Sequence, residues 1–353
     1  MRDVLGAIDQ WRAAGQPVAV ATVVQTWGSS PRQPGAKMAL TPAGDLAGSV
    51  SGGCVEGAVF EAGVEALAQG RAHLLHFGVA DETAWEVGLA CGGSIDVFVQ
   101  ALEPGFLAAA RAALDTGRPL AIATLVKTAN GDLGQALVAD ETSVLWTNAG
   151  PAERLQLEQA ARRALAASQS RRVDLGAETE AFVQVLLPPP TLVAVGGVHI
   201  TIALTALAKT LGYRTIVIDP RQAFGSEARF PHVDQLIQAW PDEALVQVAL
   251  TGSTAVALLT HDPKLDDPGL KVALPSSAFY VGALGSRTTQ ARRRQRLLED
   301  GVSPADLDRL HGPIGLPLNA RTPEEIALSI MAEIVAVKNH AEAATARAAP
   351  SVR

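Results

Sequence analysis

Two cysteines in 353 residues are too few for a disulfide framework. They form no C-x-x-C pair, so their spacing does not match the paired ligands of a structural zinc site. No apolar run approaches the roughly 18 to 20 residues needed to span a bilayer. The opening stretch, MRDVLGAIDQWRAAGQP, lacks the apolar block and small-residue cleavage site of a secretory leader and reads as an amphipathic helix. Positive charge is not in excess: 29 Lys and Arg against 36 Asp and Glu leave a net charge of −7, with no global field for nucleic acid or anionic lipid. These absences point to a reducing cytoplasm, with neither nucleic acid nor a membrane as partner.

What is present is the composition of a globular chain, 48% hydrophobic and 18% charged, long enough for two domains. A repeat marks the first of them. VLGAIDQWRAAGQPVAVATVVQT (4–26) resembles FLAAARAALDTGRPLAIATLVKT (106–128), and seven of the twelve positions from Gly15 and from Gly117 are identical. Each copy reads as a helix, a Gly-x-Pro stop and a strand rich in Val, Ile and Thr. The copies then diverge. The first enters WGSSPRQPGAK (27–37), dense in turn formers, and the second makes a plain hairpin through ANGD. A hairpin over 37–53, a helix over 55–70, a strand GGSIDVFVQAL leaving the second cysteine, a helix over 151–168 and a strand AFVQVLL complete this half, an α/β domain with an internal helix-strand repeat spanning 1–187.

Pro188, Pro189 and Pro190 can continue neither a helix nor a central strand and set the boundary. From 191 to 340 strands alternate with helices: TLVAVGG, VHITIALTALAKTLG, YRTIVIDP, a loop, AVALLTH, AFYVGALG and a helix from Pro323. That order predicts right-handed crossovers and a Rossmann-like doubly wound parallel sheet. Residues 341–353 read as a flexible tail.

LVAVGGVHITIAL (192–204) stands where a Rossmann domain carries its phosphate turn, and Asp219 follows 23 residues after Gly196, where an acid meets a ribose hydroxyl. The fingerprint is broken, with Val198 and Thr201 in place of its second and third glycines. A nucleotide such as NAD(P), or a second ligand, would be served by Gly196, Gly197, His199, Asp219, Arg221, Gly285, Arg287, His311 and Arg321; the alternative is a scaffold that uses the turn for packing alone. Arg292, Arg293, Arg294 and Arg296 read as a solvated helix face. Thr322, Pro323 and Glu325 spell a capping box.

Both cysteines lie against glycine pairs, Cys54 in SGGCVEG (51–57) and Cys91 in ACGGS (90–94). They can be core thiols, metal ligands or reactive thiolates that present sulfur to a ligand held by glycine N–H groups. In the third case Gly52, Gly53, Gly92 and Gly93 supply the N–H groups, the helix start after Cys54 lowers its pKa, and Ser29, Ser30, Arg32, Gly35 and Lys37 of the 27–37 loop suit an anionic small molecule.

QTWGSSPRQPGAKMAL, GSVSGGCVEGAV, ACGGSIDVFV, YVGALGSRTTQARR and HGPIGLPLNARTPEEIALSIMAEIVAV together resemble the XdhC/CoxF family of xanthine dehydrogenase accessory factors, from the first helix to about Lys338. The resemblance implies a cytosolic chaperone, usually dimeric and not an enzyme. It would bind molybdenum cofactor in its molybdopterin form, protect it during sulfuration and deliver it to a xanthine dehydrogenase-like apoenzyme, with a cysteine desulfurase or cofactor-synthesis protein as a further partner. It places the cofactor against Cys54 and Cys91 with their glycines, Ser30 and Arg32, and Cys54 against the molybdenum. The family's G-A-G-H turn is GGVH here; His199 and Asp219-Pro220-Arg221 match it and Val198 departs. An NAD(P)-dependent oxidoreductase and a non-binding adaptor are the alternatives.

Overall fold

A computed structural model describes every residue except 54, 79–92, 116, 130–132 and 349–353, and the backbone alone over 341–348. The chain divides into two units, Met1–Pro188 and Pro189–Arg353.

The first unit runs one course twice. Helix α1 (Arg2–Ala13) leads to β1 (Ala19–Trp27), β2 (Lys37–Leu40), β3 (Leu46–Gly48), α2 (Glu56–Gln69), β4 (His73–Phe77) and β5 (Ser94–Ala101). Helix α3 (Pro104–Asp115) then leads to β6 (Leu120–Lys127), β7 (Ala136–Asp140), β8 (Val144–Thr147), α4 (Pro151–Ala167), β9 (Arg171–Gly176) and β10 (Thr179–Leu186). The two antiparallel sheets have matching orders, β3-β2-β1-β5-β4 and β8-β7-β6-β10-β9. Even an irregularity recurs: the ladder skips Val24 between Val23 and Gln25 on β1, and Val126 between Leu125 and Lys127 on β6.

Alternate residues of each central strand serve different cores. Ala19, Ala21 and Val23 pack with Val59 and Ala62 of α2, whereas Ala121, Ala123 and Leu125 pack with Leu157, Ala161 and Ala164 of α4. The other faces meet. Val24 and Phe98 cluster with Val126 and Phe182, and Val4, Leu5 and Ile8 of α1 join Phe106, Leu107, Leu120 and Ile122. Helix α2 stops at Gly70, whose φ of 67° gives the left-handed cap that its lack of a side chain permits.

The second unit contains β11 (Thr191–Val195), α5 (His199–Thr210), β12 (Arg214–Ile218), β13 (Gln235–Ile237), α6 (Pro241–Val248), β14 (Thr254–Leu258) and α7 (Pro263–Ala273). It continues with β15 (Tyr280–Ala283), α8 (Arg287–Glu299), α9 (Pro304–Leu307), β16 (Leu310–His311) and α10 (Pro323–Ala348). Its six strands are parallel in the order β13-β12-β11-β14-β15-β16, a Rossmann order that reverses direction after β11. Both faces are covered, which is why the strands read as continuous apolar runs. Leu192 and Ala194 meet Leu204, Ala327 and Ile330 on the α5 and α10 side; Val193 and Val195 belong to the cluster holding Leu245, Leu270 and Leu297 on the other.

Two expectations are corrected. Arg293 does not lie on a solvated face: it is 2% exposed, and its Nη2 reaches Asp266 at 2.9 Å while its Nη1 donates to Leu284 O and Gln290 Oε1. Helix α10 also continues past residue 341 to Ala348, because AEAATARA is rich in alanine, the strongest helix former.

Candidate functional site

The chain between β3 and α2 wraps around one carboxylate. Glu56, the first residue of α2, accepts through Oε1 from the N–H groups of Val50, Ser51 and Gly52 at 3.2, 2.9 and 3.1 Å, and from Ser49 Oγ at 2.7 Å. Its Oε2 accepts from the N–H groups of Gly53 and Val55 at 2.9 and 3.2 Å and from Ser51 Oγ. Gly52 and Gly53 have φ of 84° and 120°, which turns successive N–H groups toward one point. Burial would raise the Glu56 carboxyl, but the hydrogen bonds from Ser51 and Ser49 outweigh it and bring it down to about 2. The amides of Gly52 and Gly53, expected to face a ligand, therefore hold the protein's own anion. The helix start expected to activate a thiol is occupied by the same carboxylate.

The 27–37 loop lies against this turn. A Cβ on Gly93 would collide with the carbonyl oxygen of Ser29, and one on Gly52 would stand 4.0 Å from Pro31 Cβ. Residues 29–31, 52 and 93 thus come together; Cys54, Cys91 and Gly92 lie outside the described residues. Within the loop, Ser30 Oγ donates to Arg32 O at 2.8 Å, Arg32 Nη2 stands 3.6 Å from Asp3, and the Gly35 carbonyl accepts from Gln184 Nε2 at 2.9 Å. Lys37 turns inward: it is 6% exposed, donates to Thr22 Oγ1 at 2.7 Å, and is brought down to about 8 by burial. It is a buried polar contact and not part of an anion-binding surface.

Beside the loop is a cluster that local sequence reading misses. Trp27, at the end of β1, lies edge to face with His76 of β4, ring centroids 5.9 Å apart. His76 Nδ1 is 2.6 Å from Asp96 of β5, which also binds Arg172 of β9; Arg172 in turn reaches Glu180 of β10 at 2.6 Å. Its members lie far apart in the chain, so only cross-strand register could have signalled it.

In the second unit the glycine turn is also filled from within. Gly197 N–H donates to Asp219 Oδ2 at 2.7 Å, and the fully buried Asp219 also accepts from Arg221 N, Nε and Nη2 at 2.9, 2.9 and 2.7 Å. Burial would raise this carboxyl, but hydrogen bonds from Arg221 and Gly197 hold it below its ordinary range. A Cβ on Gly197 would collide with the Phe224 carbonyl, and the Phe224 ring lies 4.1 Å from the Arg221 guanidinium. The 221–225 loop therefore covers the turn where a dinucleotide's pyrophosphate would approach.

The remaining residues there do not converge on Asp219. Exposed His199 stands 3.9 Å from Glu324, and exposed Arg287 opens α8 after Gly285 and its Ser286 cap. His311 stacks on Tyr280 at 4.5 Å, with Nδ1 3.5 Å from Glu333. Arg321 contributes its backbone N–H to Glu325 at 2.7 Å beside the capping box. Among the described residues no group of three His, Cys, Asp or Glu side chains could hold a metal, and no helix is long and apolar enough to cross a membrane.

The chain is similar to known proteins. Residues 11–78 match the XdhC and CoxI family, and residues 192–334 match the XdhC Rossmann domain. A Bacillus subtilis protein named as a probable xanthine dehydrogenase subunit is 30% identical over 331 residues, covering 90% of this chain and 92% of that protein. The chain belongs to the XdhC and CoxI family. Another relative, the molybdenum cofactor insertion chaperone PaoD of Escherichia coli, is 27% identical over 331 residues, covering 93% of this chain and 86% of its own. A crystal structure from Bacillus halodurans, described as a xanthine dehydrogenase, superposes with a TM-score of 0.77 at 24% identity over 95% of this chain and 96% of that one, which shows a shared fold.

Proposed function

We propose that this XdhC-family chain is a maturation factor that takes up molybdenum cofactor as cargo, shields it during sulfuration and delivers it to a xanthine dehydrogenase-like apoenzyme. Similarity to a molybdenum cofactor insertion chaperone over 93% of the chain carries this reading. The approach of Ser29 to Gly93 and of Pro31 to Gly52 supports it, because it brings the 27–37 loop to a glycine of each cysteine-bearing motif. The cofactor is held there by Ser30, Arg32 and the loop backbone, with the soft sulfur of Cys54 offered to the molybdenum. The protein works in the cytoplasm as a homodimer and receives sulfur from a cysteine desulfurase. It is not itself an enzyme. The residues around Gly197 do not fit a dinucleotide, since Asp219 takes the amide and Phe224 covers the glycine; this weighs against the oxidoreductase alternative.

The test is retention. The protein is mixed anaerobically with molybdenum cofactor, freed of unbound material and oxidised, and the fluorescent pterin is measured. Retained pterin in near-stoichiometric amount is expected, reduced by Cys54→Ala. No retained pterin overturns the carrier reading, unchanged retention in Cys54→Ala removes the thiol, and hydride exchange with NAD(P)H would restore the oxidoreductase.

A further inference from the structure

Trp27 and His76 are hard to explain as parts of the fold. Trp27 is 47% exposed at the last position of a central strand, where an indole contributes little unless something covers it. His76 is mostly exposed, yet its ring is fixed by Asp96, which is only 6% exposed and is itself clamped by Arg172. A buried carboxylate and guanidinium suffice to tie β5 to β9, and an exposed imidazole at their end adds little stability. It gains an orientation: Nδ1 faces Asp96, and in the tautomer that donates Nδ1–H to the carboxylate Nε2 is an acceptor with no partner among the described residues. A Cβ on Gly78 would stand 3.2 Å from Nε2, so the glycine adds no side chain against that edge.

The internal repeat supplies an independent control. By the offset that aligns Gly15 with Gly117, Trp27 corresponds to Ala129. By cross-strand register, Asp96 pairs with Gln25 and His76, and its counterpart Glu180 pairs with Lys127 and Asp174, so His76 corresponds to Asp174. The second copy builds the same sheet without either ring. The indole and the imidazole are therefore peculiar to the copy that also carries the elaborated loop.

The geometry points to a stacking shelf: Trp27 receives the face of a fused bicyclic heteroaromatic ring, and His76 Nε2 accepts from the N–H edge of its 2-amino-4-oxo pyrimidine. That edge is shared by pterins and guanine. Naming a pterin as the guest rests on the carrier reading above; the shelf itself does not.

Equilibrium dialysis of the full-length protein against pterin-6-carboxylate and, separately, GMP tests it. Wild type is expected to bind pterin-6-carboxylate saturably. Trp27→Leu should weaken binding about tenfold or more, the scale of one ring stacked on an aromatic side chain. His76→Gln should weaken it several-fold, and Trp240→Leu, which removes an indole 49% exposed in the other unit, should change nothing. All three sites are exposed, so unchanged circular dichroism and melting will show that the variants fold. Binding of GMP alone, lost in Trp27→Leu, keeps the shelf and makes its guest a guanine nucleotide. Binding of neither probe, or binding indifferent to Trp27→Leu, overturns the shelf. Failure of wild type to retain molybdenum cofactor while it binds pterin-6-carboxylate through Trp27 would overturn the carrier reading alone.

Discussion

The two glycine turns of this protein solve one problem in different settings. Around Gly52 and Gly53, and at Gly197, backbone N–H groups point at an anion, and in both places the anion is a carboxylate of the chain. Glu56 follows its loop directly and sits with two exposed glycines; Asp219 comes 22 residues after Gly197 and is sealed beneath Arg221 and the 221–225 loop. The glycines are also needed for different reasons. Gly52 supplies a left-handed φ where a Cβ would meet no clash, whereas Gly197 supplies room for the Phe224 carbonyl. A glycine-rich turn thus says that an anion is nearby, and the protein's own acids are the first candidates.

Four substitutions sharpen or break this contrast. Asp219→Ala should have the largest effect, about 3 kcal/mol in urea unfolding of the second unit, because it strands a buried amide and a clamped guanidinium. Gly197→Ala should cost about 2 kcal/mol by the same measurement, since the 221–225 backbone must move. Glu56→Gln should cost about 1.5 kcal/mol at neutral pH by loss of charge-assisted hydrogen bonds. Its pH dependence follows from a folded carboxyl at about 2 against an ordinary 4.5. The stabilisation is complete above pH 4.5 and disappears as pH falls toward about 2, so the gap between wild type and E56Q should close over that window. Gly52→Ala should have the smallest effect, about 1 kcal/mol of backbone strain without a clash. If Gly52→Ala proved costlier than Gly197→Ala, the two reasons assigned to these glycines would be wrong.

Much of the architecture is legible in the sequence because it is periodic or duplicated. The seven identities after Gly15 and Gly117 announce the repeat, and the alternation after Thr191 announces the parallel sheet. Helix α7 is hidden, since DPKLDDPGLKVA places Pro268 and four charged residues of 263–273 among Leu265, Leu270 and Ala273. The burial of Arg293 is hidden for a different reason: Asp266 lies 27 residues away, and nothing local marks the pair. At the candidate site the glycine loops can be read, but Glu56 as their occupant cannot, because one glutamate at a helix start resembles any other. His76 and Asp96 need the register of β4 on β5, which no local pattern states.

The shared core of the first unit has a consequence for ancestry. Val24 and Phe98 meet Val126 and Phe182, and α1 packs in a cluster with α3, so each copy completes the apolar interior of the other. A chain carrying one copy would leave that face open to water until it met a second such chain. A single-copy ancestor would therefore have folded as a pair, and fusing the two genes would have turned a contact between molecules into one within a molecule.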